Sequence, residues 1–219
     1  MPKLDTKTKI LDAAEILFAQ KGFDAVSLRN IVETAKVNLA AVHYHFGSKQ
    51  ILLHKVVSRR FRPINKERLT MLANAKSNAG KHKLKLESVL ESLFLPIFRA
   101  QANPKVGKSF TRLIGRVVFD RNAELQKFML SELTEVFIEF SKAFEEALPD
   151  LEKTDLDWRS HFMAGAMAHT LCNSDLLTRF TQTNANDSEL ETTIQRLIDF
   201  TAGGFRAKVS KTSKTNKNT

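Results

Sequence analysis

Apolar residues recur through most of this 219-residue chain at steps of three and four, the spacing of one face of a helix. Ile10, Leu11, Ala14, Leu17 and Phe18 predict a helix from about Asp5 to Lys21, ended by Gly22, with Phe23 and Val26 beneath the turn that follows. Leu28, Ile31, Val32 and Ala35 form a second face, opened by Ser27 as cap. Lys36 and Val37 make a tight turn, and Asn38 caps a third helix that runs to about Phe46. Gly47 stops it and Ser48 caps the next at once. Ile51, Leu52, Val56 and Phe61 give the apolar side of a long helix to about Ala75, which Pro63 is expected to kink or break. The stretch 77–85 reads as a loop.

Residues 86–101 predict a helix apolar nearly all round, with Pro96 inside it, as expected of a buried or cavity-lining segment. Pro104 opens a helix to about Asp120: Phe110, Leu113, Ile114 and Val117 mark one face, and Lys105, Lys108, Arg112 and Arg116 another. Residues 122–148 carry a broad stripe of Leu125, Phe128, Met129, Leu133, Val136, Phe137, Phe140 and Phe144. Helices at 157–180 and 187–209 complete an all-α chain, the first holding small residues three and four apart.

The second and third helices are too short to persist alone in water. They must be pinned by packing, which leaves an exposed face for another use. Two short crossing helices joined by a tight turn form the helix-turn-helix pattern. The residues go further. The run Val-Asn-Leu-Ala-Ala-Val-His-Tyr-His-Phe-Gly-Ser-Lys from Val37 to Lys49 resembles the DNA-binding segment of TetR/AcrR family transcriptional regulators. The lead-in Ile10–Ala14, Leu17–Phe18 and Lys21–Phe23 matches as well. The resemblance covers residues 5 to about 60; beyond that the family shares an all-helical plan.

That likeness implies a helix-turn-helix head over residues 1–50 and a helical ligand-binding and dimerisation body over 51–208; the basic tail, 209–219, is too polar to pack and is expected to be disordered. It implies a homodimer, its last two long helices paired with those of a second copy, on double-stranded DNA with a palindromic operator. The third helix has no Lys or Arg between Asn38 and Gly47, so base reading must come from elsewhere or from apolar contact. Arg29 is the candidate for a bidentate bond to guanine, and Leu39, Ala40 and His43 for thymine methyls and base edges. Tyr44 and Lys49 are candidate phosphate holders, with Ser27 and Asn38 at the helix starts beside them. His45 and Phe46 are expected to pack rather than read.

Charge agrees with a polyanion partner. Net charge is +10: residues 1–66 hold 12 Lys or Arg against 5 acids, 206–219 hold 5 against none, and the body between is near neutral. No stretch has the ~20 apolar residues of a membrane span, and no signal-peptide core is evident, so a cytoplasmic protein is expected. Cys172 is the only cysteine. No cofactor is implied. His43 and His45, two apart, make a poor metal pair.

Of 16 Phe, 12 lie after residue 66, which suits a dry core; because members of the family bind small molecules in this domain, the resemblance implies a small apolar effector. The head, the length and the Pro-containing Phe/Leu helix are similar to PsrA-type members of the family, which respond to fatty acids. On that likeness a fatty acid or acyl-CoA would lie among Phe94, Phe98, Phe110, Phe137 and Phe162, with its anionic group on Arg112 and Arg116. A drug-efflux regulator stacking aromatic compounds on the same phenylalanines is the alternative. A helical enzyme using Cys172 and His169 is a third reading, with no oxyanion hole or glycine-rich turn to support it.

Overall fold

The computed structural model describes residues 5–104, 107–118, 122–173, 176, 180 and 190–208. Among these every element is a helix: α1 (Thr6–Lys21), α2 (Leu28–Ala35), α3 (Leu39–Phe46), α4 (Lys49–Ala79), α5 (Leu86–Ala102), α6 (Gly107–Val118), α7 (Ala123–Ala147), α8 (Lys153–Cys172) and α9 (Leu190–Arg206). No helix among the described residues is long and apolar enough to cross a membrane. The tail 209–219 and Lys105 lie outside the described residues.

The starts of the first four helices follow from local chemistry. The carboxylate of Asp5 accepts from Thr8 N at 2.8 Å. Ser27 Oγ accepts from Asn30 N at 3.1 Å while Asn30 Oδ1 accepts from Ser27 N at 2.9 Å, a reciprocal capping box. Asn38 Oδ1 accepts from Ala41 N at 2.8 Å, and Ser48 Oγ from Ile51 N at 3.1 Å. Lys36 takes the left-handed conformation, φ 54°, in the turn between α2 and α3, and Gly47, φ 72°, ends α3. Ile31, Val42 and Phe46 bury one side of this pair against α1.

α4 is the spine. It packs on α1 at one end and on α5 and α7 along its length, and its buried residues run from Leu52 through Val56, Phe61, Ile64 and Arg68 to Leu72. It is longer than its sequence predicts. Pro63 does not end it: the proline faces solvent, and packing on both sides holds the helix. The polar stretch after Ala75 stays helical because Ala75 and Ala79 still pack against the core, and Gly80 makes the stop. α8 begins at Lys153, a turn before the expected Asp157; Glu152 caps it without a side-chain bond, so no residue announces the start.

One core runs through the described residues without a break, from Phe18 under the head to Phe94, Phe98 and Phe110 in the body and Phe205 on α9. α5 is buried on most sides, as its composition requires, and packs on α4, α6, α7 and α9. α7 is narrower than its stripe of phenylalanines: Val136, Phe140 and Phe144 point inward, whereas Phe137 is 53% exposed. One step on from Val136 is about 100° around a helix, enough to turn a side chain out.

Candidate nucleic-acid interface

α2, α3 and the first residue of α4 bring the sequence candidates to one end of the molecule. Ser27, Arg29, Asn38, Leu39, Ala40, His43 and Tyr44 are exposed there, and Lys49 is half-buried. Tyr44 is 85% exposed. Val42 and Phe46 face inward, so the outward side of α3 is a strip of Leu39, Ala40, His43 and Tyr44 with no Lys or Arg of its own. A helix of eight residues with one buried edge fits the width of a major groove.

Several candidates already have local work, Asn38 among them as the cap of α3. The Ser27 hydroxyl is committed to Asn30, donating to its Oδ1 at 2.8 Å. Lys49 Nζ lies 4.3 Å over the Phe23 ring and 3.4 Å from the Asp24 carbonyl, tying the start of α4 to the turn after α1. His43 Nδ1 lies 3.2 Å from the Gly47 carbonyl. Phe46 packs, but His45 does not: it is exposed and stands edge-on to Tyr44, with ring centres 5.0 Å apart. Its ring follows Tyr44 around the helix to the solvent side, so His45 joins the exposed surface.

The interface is clamped to the body through α4. Glu15 on α1 accepts from Arg59 at 2.5 Å and from Arg60 Nε at 2.9 Å, and Arg59 also reaches Asp12 at 2.7 Å. The Arg59 guanidinium is held charged by those carboxylates against the cost of burial. On the other side of α4, Arg62 and Ser58 hold Glu132 on α7 and keep its carboxyl below the usual range. Burial pushes His54 below its ordinary value as it stacks on Phe128, ring centres 3.9 Å apart. The sequence signals for this clamp were a glutamate inside an apolar stripe and paired arginines at Arg59 and Arg60.

The residues expected around an effector separate. Phe94, Phe98 and Phe110 are fully buried in the core. Phe137 and Phe162, the latter 63% exposed, point away from it, so the five do not form one lining within a chain. Arg112 and Arg116 border an open cleft of about 480 Å³ with Gln20 and Cys172. Arg116, however, donates through Nε to the Ala19 carbonyl and through a terminal nitrogen to the Gln20 carbonyl, both at 3.0 Å. Its charge closes the end of α1, where helix carbonyls lack partners. Burial pushes the Cys172 thiol above its ordinary value, away from the thiolate a nucleophile needs, and its Sγ faces the Thr111 carbonyl at 4.0 Å.

Known proteins resemble the chain in both halves. The family model for bacterial regulatory proteins of the tetR family matches residues 10–56, and that for the tetracyclin repressor-like C-terminal domain matches 91–204. The chain is 30% identical over 144 residues to the Probable HTH-type transcriptional regulator YttP of Bacillus subtilis, covering 66% of this chain and 65% of that protein. It is 32% identical over 92 residues to the biofilm operon icaADBC HTH-type negative transcriptional regulator IcaR of Staphylococcus aureus, covering 42% of this chain and 46% of that one. The matches therefore span less than two thirds of either relative. Among solved structures, the fatty acid degradation regulator FadR from Bacillus halodurans superposes with a TM-score of 0.70 at 15% identity, over 95% of this chain and all of that one. A TetR-family transcriptional regulator from Bordetella parapertussis superposes at 0.68 and 12% identity, over 95% and 100%.

Proposed function

The chain belongs to the TetR family of bacterial transcriptional regulators, and on that premise we propose that it is a homodimeric repressor released from a palindromic operator by a small apolar acyl effector. The observation that carries the DNA-binding part is the exposed outward strip of α3, flanked by Arg29 and Lys49. Bases are read by Arg29 and by apolar contact from Leu39 and Ala40, and the backbone is gripped by Tyr44 and Lys49. The reading head spans residues 1–50 and the effector and dimerisation body 51–208, with α4 crossing from one into the other.

The dimer is supported by an exposed face on α8 and α9. Trp158 and Phe162 on α8 and Phe200 on α9 lie open to solvent, and a Cβ added at Gly165, Gly203 or Gly204 would meet nothing within 4 Å. A bare apolar face with small residues fits a second copy of itself, which places two heads about one DNA turn apart. The fold likeness to a fatty acid degradation regulator and the buried phenylalanines of α5 and α6 support an acyl effector. The negative regulator among the relatives supports repression.

Fluorescence anisotropy on a duplex from upstream of the protein's own gene tests this reading. Tight binding that weakens steeply with salt, and release by oleate or oleoyl-CoA but not by a cationic aromatic dye, is the expected result. Release by the dye alone would replace the acyl effector with a flat aromatic one. No DNA binding by the folded dimer would overturn the reading.

A further inference from the structure

Arg68 lies in the middle of α4 at 3% exposure. Its Nε donates to the Leu93 carbonyl on α5 at 2.9 Å. One terminal nitrogen donates to Asn65 Oδ1 at 3.2 Å, and the Asn65 amide is itself fixed by donating to the Glu132 carbonyl at 2.9 Å. The other terminal nitrogen reaches only Met167 Sδ on α8, at 4.0 Å. A thioether is a weak acceptor. The arginines on the same helix that keep contact with water, Arg59, Arg60 and Arg62, each hold a carboxylate. Among the described residues the buried one holds none. Burial alone lowers its pKa to about 10, which leaves it charged at neutral pH.

Part of this arrangement is structural. Leu93 stands three residues before Pro96, in the stretch of α5 whose hydrogen-bond ladder the proline weakens, and Arg68 supplies a donor there. With the Asn65 bond, that gives oxygen partners to two of its five N–H groups. A buried cation with no counter-charge is otherwise costly, and the edge of the guanidinium toward α8 meets sulfur where an oxygen would bond.

We propose that Arg68 anchors the carboxylate of a largely apolar, singly charged ligand, which enters between α4, α5 and α8 by displacing the Met167 side chain. Met167 is half-buried and unbranched, so it can swing aside without moving the backbone. The ligand is a monoanion because one buried positive charge neutralises one negative charge; a dianionic phosphate would leave a net charge in the core. The proposal rests on the effector-controlled reading above and narrows it to a free carboxylic acid, since an acyl-CoA carries its charges on phosphates.

The test is isothermal titration calorimetry on the full-length protein with dodecanoate, methyl dodecanoate and dodecyl phosphate, followed by operator release. Dodecanoate is expected to bind roughly tenfold or more tighter than the ester and the phosphate, and Arg68→Met to lose that margin. Arg68→Met also loses the bond to Leu93, so Met167→Glu is the second variant. It leaves Arg68 in place and supplies the carboxylate from within the chain. A higher melting temperature than the parent and no dodecanoate binding are expected of it. Equal binding of acid and ester, binding of none of the three, undiminished dodecanoate binding by Arg68→Met, or parent-like binding by Met167→Glu would each overturn the anchor. Operator release by acid and ester alike would overturn it while leaving effector control intact. Dodecanoate bound through Arg68 without operator release would uphold the anchor and remove the control.

Discussion

Glu15 on α1 is the hinge-pin of Arg59 on α4: the two meet at 2.5 Å, with the glutamate only 3% exposed. Arg60 shares the same carboxylate at 2.9 Å. Glu15→Ala would leave two guanidiniums facing a buried gap. The loss should be about 2–3 kcal/mol, less than for a fully buried pair because both arginines keep some contact with water. Asp12 binds the same Arg59 from a half-exposed position, so Asp12→Ala should cost under ~1 kcal/mol. Urea unfolding of the two variants checks the order, and equal losses would show that burial of Glu15 does not matter.

His54 gives the molecule an acid limit. Its Nε2 is buried without a partner, and desolvation outweighs the pull of Glu124 and Glu132 to lower its pKa from 6.5. The unfolded chain therefore takes up the proton first. Stability should be intact above pH ~6.5, fall as pH drops below it, and level off once the folded state is protonated too. Glu132, held low by Arg62, adds a further loss at more acid pH, below its ordinary 4.5. Melting temperature against pH checks this, and His54→Gln should flatten the first fall while sparing the second.

Arg29 and Tyr44 should fail differently. Arg29→Ala is expected to cost about 1–3 kcal/mol on the operator and to relax preference at a single base position. Tyr44→Phe removes one hydroxyl from an exposed ring, and should weaken all duplexes alike by about 1 kcal/mol. Anisotropy with base-substituted operators separates the two. A uniform loss for Arg29→Ala, with a shallower salt slope, would move it to the phosphate backbone.

Gly22 and Arg116 form a joint between head and body. Gly22 has φ 84°, and a Cβ there would stand 3.0 Å from an Arg116 terminal nitrogen. Gly22→Ala should therefore cost about 1–3 kcal/mol from the backbone alone. Arg116→Met, which loses the bonds to Ala19 and Gln20, should cost about 1–2 kcal/mol and leave dodecanoate affinity unchanged. Denaturant midpoints and calorimetry on the pair check both statements.

Local chemistry was readable in the sequence because it acts over three or four residues. Ser27, Asn38, Ser48 and Gly47 cap or stop helices through their own neighbours, so they fall where the pattern puts them. Side-chain exposure was less readable. Phe137 and Phe162 look like core by type, yet their direction is set by which helices arrive beside them. Arg116 reads as one of a cationic stripe until α1 is brought against it. Arg68 sits in the charged run Lys66, Glu67, Arg68 and gives no sign that, unlike its neighbours, it faces inward. The start of α8 lacks a capping side chain, so nothing local marks it.

Trp158 is the only tryptophan of the chain, and it lies on the exposed face of α8 beside Phe162, ring centres 5.7 Å apart. In the proposed dimer this indole is a built-in optical gauge of assembly. Dilution of a dimer closed over this face should shift the intrinsic emission to the red as water reaches the indole. The dimer constant can then be read without a label, and with the operator or an effector present in the same cuvette.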